Sequence, residues 1–457
     1  MIYGTKTEFM NLSCLKLQIW LPVCMLLLCC KQNSTDKANN IAVIDVIHNL
    51  GKYKAFPLSE FVSDIEYIPL EIGDDCLIGE WDVYSRIIVT SSHIFVTGYR
   101  FCYAFGRDGC FIGRIGSFGQ GPGEYSMIRG LSIDENKQCL YIETLSSLKE
   151  YSYDGVFHRS FEIPKNLIQL HDRLIPNYMN NVYFVRDNLF IGHIGNQMGN
   201  EKYNFQLIND FGQVVESFDN YVQFHRTNSS GSRSENAMMP YRVSENIYVK
   251  ELPNDTLYCL NEQNKLIPTF VFDLGQYTYS KQNREDAKWT DPVFFDQMKV
   301  IFVPNTLMPI VGTPNYVFFS YEALNLSRKY PFPGRPERAV LPHANAQNVR
   351  AIDNERHLGI YDIIHQKTHL LDTDPVLRRP GLINDLDGSL PFWPKYYTLD
   401  NELVDIWQAY QMKEDLTDIY FATHEIKNPQ VHQKLKELLK NLKEDDNPIV
   451  VIAKLKK

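Results

Sequence analysis

The sequence predicts an all-β chain: a six-bladed β-propeller of four-stranded antiparallel blades, with a C-terminal amphipathic helix outside the ring. Three observations carry this. A unit of strand, polar turn, strand and hairpin recurs at intervals of roughly 40–50 residues, the spacing of propeller blades. Aromatic residues make up 13% of the chain, mainly 27 Tyr and 26 Phe, and such side chains favour pleated, half-buried surfaces. Strand-like segments also stand at both ends of the repeat array, where they can share a blade.

The clearest unit is LSIDENKQCLYIET (131–144) followed by LKEYSYDGVFHRSFEI (148–163). Leu131 and Ile133 alternate with polar residues, DENK (134–137) makes a turn, and Leu140 and Ile142 resume the period of two. Tyr151 and Tyr153 lead into Asp154-Gly155, a strong hairpin signal because both turn positions tolerate φ > 0. The template fits again at 87–116, where the turn is Asp108-Gly109, then at 181–218, at 241–275, and at 316–324 with 357–372. YPFPGRPERAVLPHANAQ (330–347) reads as a long loop in the fifth unit. The sixth blade is assembled from the ends, FPLSEFVSDIEYIPLEI (56–72) pairing with NPIVVIAKLKK (447–457), which closes the ring and removes its edges. Between repeats and terminus, residues 428–446 place Leu435, Leu438, Leu439 and Leu442 at helical spacing, so this helix packs on the outside.

The amino-terminal region reads differently. Lys6 and Lys16 precede IWLPVCMLLLCC (19–30), too short to span a bilayer and suited to the apolar core of a secretory signal; Met10 is an alternative start. The stretch ends in Leu27-Leu28-Cys29-Cys30, which resembles the bacterial lipobox. That resemblance implies that Cys30 is acylated and becomes the mature N-terminus, with Leu27 three positions before it and Cys29 as the small residue. An ordinary cleaved signal peptide is the alternative. The expected organisation is a signal peptide over 1–29, a flexible tether over 30–54 containing KQNSTDKANN (31–40), and the propeller over 55–457. The expected location is the cell envelope, as an outer-membrane lipoprotein. Surface-displayed lipoproteins can carry an acidic cluster after the cysteine, and here there is only Asp36, so the side of the membrane stays open.

Net charge is −9 with no long basic run, which argues against nucleic acid or an anionic membrane surface as a partner. Five cysteines remain after Cys30: Cys76, Cys102, Cys110, Cys139 and Cys259. Odd in number and lacking a C-x-x-C pair, they read as small buried hydrophobes, with neither disulfide nor zinc spacing.

The glycine-rich GSFGQGPGEY (116–125) has G-x-x-x-x-G spacing, but Pro122 and Gly123 stand where a phosphate loop needs Lys and Ser or Thr. Glu124 stands where a dinucleotide fingerprint needs its third glycine. The segment is read instead as the crossing from the outer strand of one blade to the inner strand of the next.

GQGPGEY followed by a strand, a polar turn and YxxDG resembles the NHL repeat, a propeller-blade unit. Together with FPLSEFVSDIEYIPLE, VSENIYVKELPNDTLYCL (243–260), GLINDLDGSLPFWPK (381–395) and the EDDNPIVVIAKLK ending, it makes the chain resemble the six-bladed β-propeller lipoproteins of anaerobic Gram-negative bacteria. The resemblance covers about residues 55–457. It implies the fold and the envelope location, and no settled activity.

Several constellations have the residue types of catalytic or metal sites. HQKTH (365–369) has Gln366 where a metalloprotease needs glutamate, and residues four apart in a strand lie ~13 Å apart. NDLDGS (384–389) offers Asp385 and Asp387 as a partial calcium site, although Ile383 and Pro394 occupy the first and twelfth loop positions. Some six-bladed propeller hydrolases hold calcium in the central channel; no other cofactor is expected. There is no G-x-S-x-G elbow, and Asp255-Thr256-Leu257, which resembles a bacterial glycosylation site, falls at a strand start. Propellers bind ligands around the channel mouth, on the face of the loops that lead into the inner strands. Tyr125 and Arg129 precede one inner strand, Tyr241 and Arg242 open another, and Trp393 in PFWP (391–394) offers a face for a sugar ring. The expected function is an envelope-tethered, non-enzymatic binding module for a glycan, a peptide or a partner protein. The alternatives are a hydrolase or lyase with a channel metal or carboxylate pair, and a structural subunit of an outer-membrane assembly.

Overall fold

Strands that alternate buried and exposed residues pair with their sequence neighbours, and six such sheets form the ring. The computed structural model describes residues 41–81, 85–170, 173–226, 238–251, 254–278, 280–286, 310–322 and 356–456. Blade 1 comprises Arg86–Val89, His93–Thr97, Cys102–Gly106 and Phe111–Arg114; blade 2, Gly130–Asp134, Cys139–Glu143, Ser147–Ser152 and Phe157–Glu162. Blade 3 comprises Asn180–Arg186, Leu189–His193, Tyr203–Asn209 and Val214–Asp219; blade 4, Met238–Val243, Asn246–Glu251, Thr256–Leu260 and Leu266–Asp273. Blade 5 comprises Val311–Gly312, Tyr316–Glu322, Arg356–Asp362 and Lys367–Leu371. Blade 6 combines Tyr396–Tyr397, Glu402–Trp407 and Ile449–Leu455 with the amino-terminal strand Val62–Pro69. This is the six-bladed propeller expected, closed by the two ends of the chain. Each blade's inner strand contacts the next, from blade 1 around to blade 6 and back to blade 1.

The amino-terminal segment is more ordered than a tether. Ala42–Asp45 pairs in parallel with Leu266–Asp273 on blade 4, and Tyr53–Lys54 with Lys367–Leu371 on blade 5. The chain therefore runs along the outer edges of blades 4, 5 and 6 before it starts blade 1. Ala42–Asp45 and Tyr53–Lys54, which composition places in the tether, belong to the ring because their backbone groups complete otherwise open sheet edges. A second unforeseen element is the hairpin Lys165–Leu170 and Arg173–Tyr178, between blades 2 and 3. Cys30, residues 31–40 and the loop at 330–347 lie outside the described residues.

The buried side chains gather in six clusters, each between two adjacent blades. Tyr103, Phe105, Val404 and Val450 pack between blades 6 and 1; Phe95, Ala104, Leu140 and Tyr151 between blades 1 and 2. The others lie between blades 2 and 3, 3 and 4, 4 and 5, and 5 and 6. The last is the largest, because residues 382–393 and the helix Pro429–Asn441 cover it. That helix begins where the Asn428 side chain accepts a hydrogen bond from the Val431 N–H, with Pro429 at its first position. Val431 and Leu435 are buried, and Leu438 and Leu439 pack beside them, which is the predicted apolar stripe. Of the five cysteines, Cys110 is exposed and the other four are buried.

The hairpin glycines show how blades dock. Gly109, Gly155 and Gly212 have φ of +84°, +83° and +74°. Each lies against a backbone carbonyl at the end of the preceding blade's outer strand: Pro69, Arg114 and Glu162 in turn. Glycine is thus required twice, for the left-handed backbone and for the close approach. A Cβ on Gly155 would sit 2.6 Å from the Arg114 oxygen. Gly155→Ala should destabilise the ring by more than ~1 kcal/mol, read as a lower midpoint in urea unfolding. Gly113→Ala, which meets nothing within 4 Å, is the control and should leave the midpoint nearly unchanged. Equal midpoints for the two variants would show that the hairpin contact does not hold blades together.

Candidate functional site

Side chains from opposite sides of the ring meet on its axis. The Tyr396 hydroxyl, on the inner strand of blade 6, lies within electrostatic reach of Tyr183 on the inner strand of blade 3, Glu135 of blade 2, Arg242 of blade 4 and Tyr153 of the blade 2 hairpin. Blades 3 and 6 are diametrically opposed, so only the axis can bring these residues together. Glu135 follows the inner strand of blade 2, and Asp400, in the turn after Tyr396–Tyr397, lies beside it. Glu135, Tyr183, Arg242 and Tyr396 are all half-buried. Burial, followed by the charge of Asp400, raises the Glu135 carboxyl above its ordinary value, and Arg242 opposes the shift. Burial also raises the phenols of Tyr183 and Tyr396, while the charge of Arg242 lowers both. Arg242 is itself held: its Nη2 donates to the carbonyls of Phe184 at 3.0 Å and Val185 at 2.6 Å. The arrangement presents a fixed cation, a carboxyl group and two hydroxyls, a set that can bind a polar ligand bearing both donors and acceptors.

The opposite end of the axis, where the inner strands begin, is built around Glu143. Its carboxylate is fully buried and accepts the backbone N–H groups of Asn181 at 3.0 Å and Val182 at 2.9 Å. Asn181, with φ of +52°, turns two successive N–H groups toward one anion. Gly130 lies directly against this carboxylate, where a Cβ would come within 2.6 Å of it. The charges of Arg129 and Arg86 also reach Glu143.

The residues expected to bind ligand separate into different environments. Arg129 lies at the Glu143 end, and Arg242 at the other, because Tyr241 and Arg242 fall near the end of their inner strand rather than at its start. Strand alternation sends Tyr241 the other way, into the interface between blades 4 and 5, stacked on Tyr248 at 5.0 Å. Tyr125 is also interior, and its hydroxyl donates to the Ile115 carbonyl at 3.0 Å. Trp393 is 2% exposed and packs edge-on against Phe318, so it presents no face to a sugar. Its backbone N–H donates to Asp405, which also accepts from the Trp407 indole and from Lys395.

Asp385 and Asp387 are buried and already occupied by protein donors. Asp385 accepts from the Ser59 N–H at 2.8 Å, the Ser59 hydroxyl at 2.5 Å and the Lys427 ammonium at 2.6 Å. Asp387 accepts from the Tyr67 hydroxyl at 2.6 Å and the Ser389 N–H at 3.1 Å. A calcium ion needs six or more oxygens, and an ammonium group stands where it would approach Asp385. Among the described residues these aspartates are part of no convergent metal-ligand set. In the glycine-rich 116–125 segment, the Glu124 carboxylate accepts the Gly121 N–H at 2.8 Å and packs against Gly119. The loop is filled from within by its own anion.

Sequence reasoning missed Glu135, Tyr183, Tyr396, Asp400 and Glu143. Their one sequence signal is position: each lies at or within two residues of the end of a blade's first or second strand, or in the turn just after, apart from Tyr183, which lies mid-strand.

The chain matches the family described as Domain of unknown function (DUF4934) over residues 41–454. No curated protein matches its sequence. Among solved structures, a Bacteroides fragilis protein described as exported superposes with a TM-score of 0.59 at 15% identity, covering 91% of this chain and 100% of that one. This similarity supports the fold. A member of the duf4221 family from Bacteroides vulgatus covers 86% and 97% of the two chains at 10% identity, with a TM-score of 0.44. Virginiamycin B lyase from Staphylococcus aureus covers 69% and 76% at 11% identity and 0.32. Neither of these two similarities bears on function.

Burial pushes the Glu143 carboxyl up to about 7, against the pull of Arg129, the two N–H donors and Arg86. In the unfolded chain the group ionises near its ordinary 4.5. Between those values the folded state holds more protons than the unfolded state, so stability falls as pH rises through the window. Glu143→Gln should remove that slope. It should cost most at the acid end of the window, about 1–3 kcal/mol because the amide NH2 meets a buried N–H, and less as pH rises. Urea unfolding across the window checks both, and an unchanged slope in the variant would assign the titration elsewhere.

Proposed function

We propose that this chain, which belongs to the DUF4934 family, is a binding module of the cell envelope. The reading is of a lipoprotein anchored through Cys30 whose ring takes a glycan, a peptide or a partner protein at the axis. The observation that supports it most is the convergence of Glu135, Tyr183, Arg242 and Tyr396 from four blades on one half-buried site. A rigid ring holds these groups in place before a ligand arrives, which lowers the ordering cost of binding. The exported description of the B. fragilis neighbour agrees with an envelope location.

One observation favours a second reading. Glu135 and Asp400 form a carboxylate pair in which Glu135 is raised by burial and by its partner. Two neighbouring carboxyl groups, one of them raised, are the pair that a glycosidase-like hydrolase or a lyase uses as acid and base.

Glycan and peptide panels against the purified protein test both readings. Tyr396→Phe and Tyr183→Phe, which keep the ring and remove the hydroxyl, should each weaken the captured ligand about five- to tenfold, the worth of one hydrogen bond. Affinity unchanged in both variants would move the site off the axis. Turnover of a captured glycan that Glu135→Gln abolishes would favour the hydrolase or lyase. For the anchor, Cys30→Ala should shift the protein from the membrane to the soluble fraction. Retention in the membrane fraction would overturn the lipid attachment.

A further inference from the structure

Three donor side chains converge on the outer three strands of blade 2. Cys139 lies on the second strand, Glu150 on the third and His158 on the fourth. The register pairs Glu150 with Tyr141 on one side and Arg159 on the other, so Cys139, Tyr141 and Glu150 share a face. His158 joins them because a bulge opens between Glu150 and Tyr151: Glu150 pairs with Arg159, and Tyr151 with Phe157. His158 is the extra residue, and a bulge re-aims a side chain in this way. Its Nδ1 lies 3.4 Å from Glu150 Oε1 and 4.0 Å from Cys139 Sγ. All three ligand atoms fall within 4.8 Å of one another.

We propose that Cys139 Sγ, Glu150 Oε1 and His158 Nδ1 form a zinc site. With zinc–sulfur and zinc–nitrogen bonds of about 2.3 and 2.0–2.1 Å, tetrahedral coordination sets donor separations at roughly 3.4–3.6 Å. The observed nitrogen–oxygen spacing matches, and the nitrogen–sulfur spacing closes by a few tenths of an ångström. Thiolate, imidazole and carboxylate are a borderline-soft set, which suits zinc over calcium or magnesium.

One further feature points to a missing ligand. The Tyr141 hydroxyl is buried without a hydrogen-bond partner among the described residues, on the face that Tyr141 shares with Cys139 and Glu150. It is placed to bond a water or other group in the fourth zinc position. Arg159 does not block the cation, since its Nε binds the other Glu150 oxygen at 2.7 Å while Nη2 binds Asp210 at 2.8 Å.

The test uses the purified protein after chelation, titrated with zinc against a chromophoric chelator and with cobalt for thiolate-to-metal charge transfer. One equivalent should bind, with a charge-transfer band. Cys139→Ser should abolish the band, and His158→Ala, at a half-exposed bulge that leaves packing intact, should weaken zinc at least tenfold. Cys110→Ser, at the exposed cysteine, should change neither. Sub-stoichiometric binding, a band that survives Cys139→Ser, a band lost with Cys110→Ser, or unchanged affinity in His158→Ala would each overturn the site.

Discussion

The pairing of Val62–Pro69 with Ile449–Leu455 is the constraint on which the rest of the molecule depends. Its register runs from Val62 opposite Leu455 to Pro69 opposite Ile449. It joins the two ends of the ring through backbone hydrogen bonds that no local segment could supply. Closing a loop of this length carries a large entropic cost that grows only slowly with added residues. Closure is offset by the burial that it completes, since the clusters between blades 5 and 6 and between blades 6 and 1 both draw on these two strands. The ring also imposes a geometry on function. Tyr396 meets Tyr183 only because blade 6 is finished and stands opposite blade 3.

The scaffold was legible because its signals are local. Alternation in segments such as Leu131–Ile133 and Leu140–Ile142, followed by an Asp-Gly turn, specifies a blade with no knowledge of its neighbours. The same glycine then does a second, non-local job against the preceding blade's carbonyl, which no sequence pattern announces. Ala42–Asp45 and Tyr53–Lys54 escaped notice for the opposite reason. They are too short to show a period, and they are strands only because blades 4 and 5 offer open edges to them.

The candidate sites were less legible, and the cause is register. Tyr241 and Arg242 are adjacent in sequence, yet one belongs to an interblade core and the other to the axis. Choosing between them requires the parity of the strand, and choosing which mouth they serve requires its start, Met238. Trp393 failed as a platform because PFWP lies beneath the helical cover of blade 6, where apolar area is more stably buried than displayed. Cys139, Glu150 and His158 show no metal-binding spacing because three strands and one bulge assemble them.

Buried ionisable groups are costly unless the protein supplies partners for them. Glu143 illustrates what such burial requires, namely two backbone donors from a left-handed Asn181 and the space left by Gly130. Burial raises both carboxyls, Glu143 against the pull of its donors and Glu135 with the charge of Asp400 added. Glu143, held by the backbone of Asn181 and Val182, is a structural clamp between blades 2 and 3. Glu135 lacks such backbone donors among the described residues and has Arg242 within reach of its charge, which is why the proposed ligand site falls at its end of the axis.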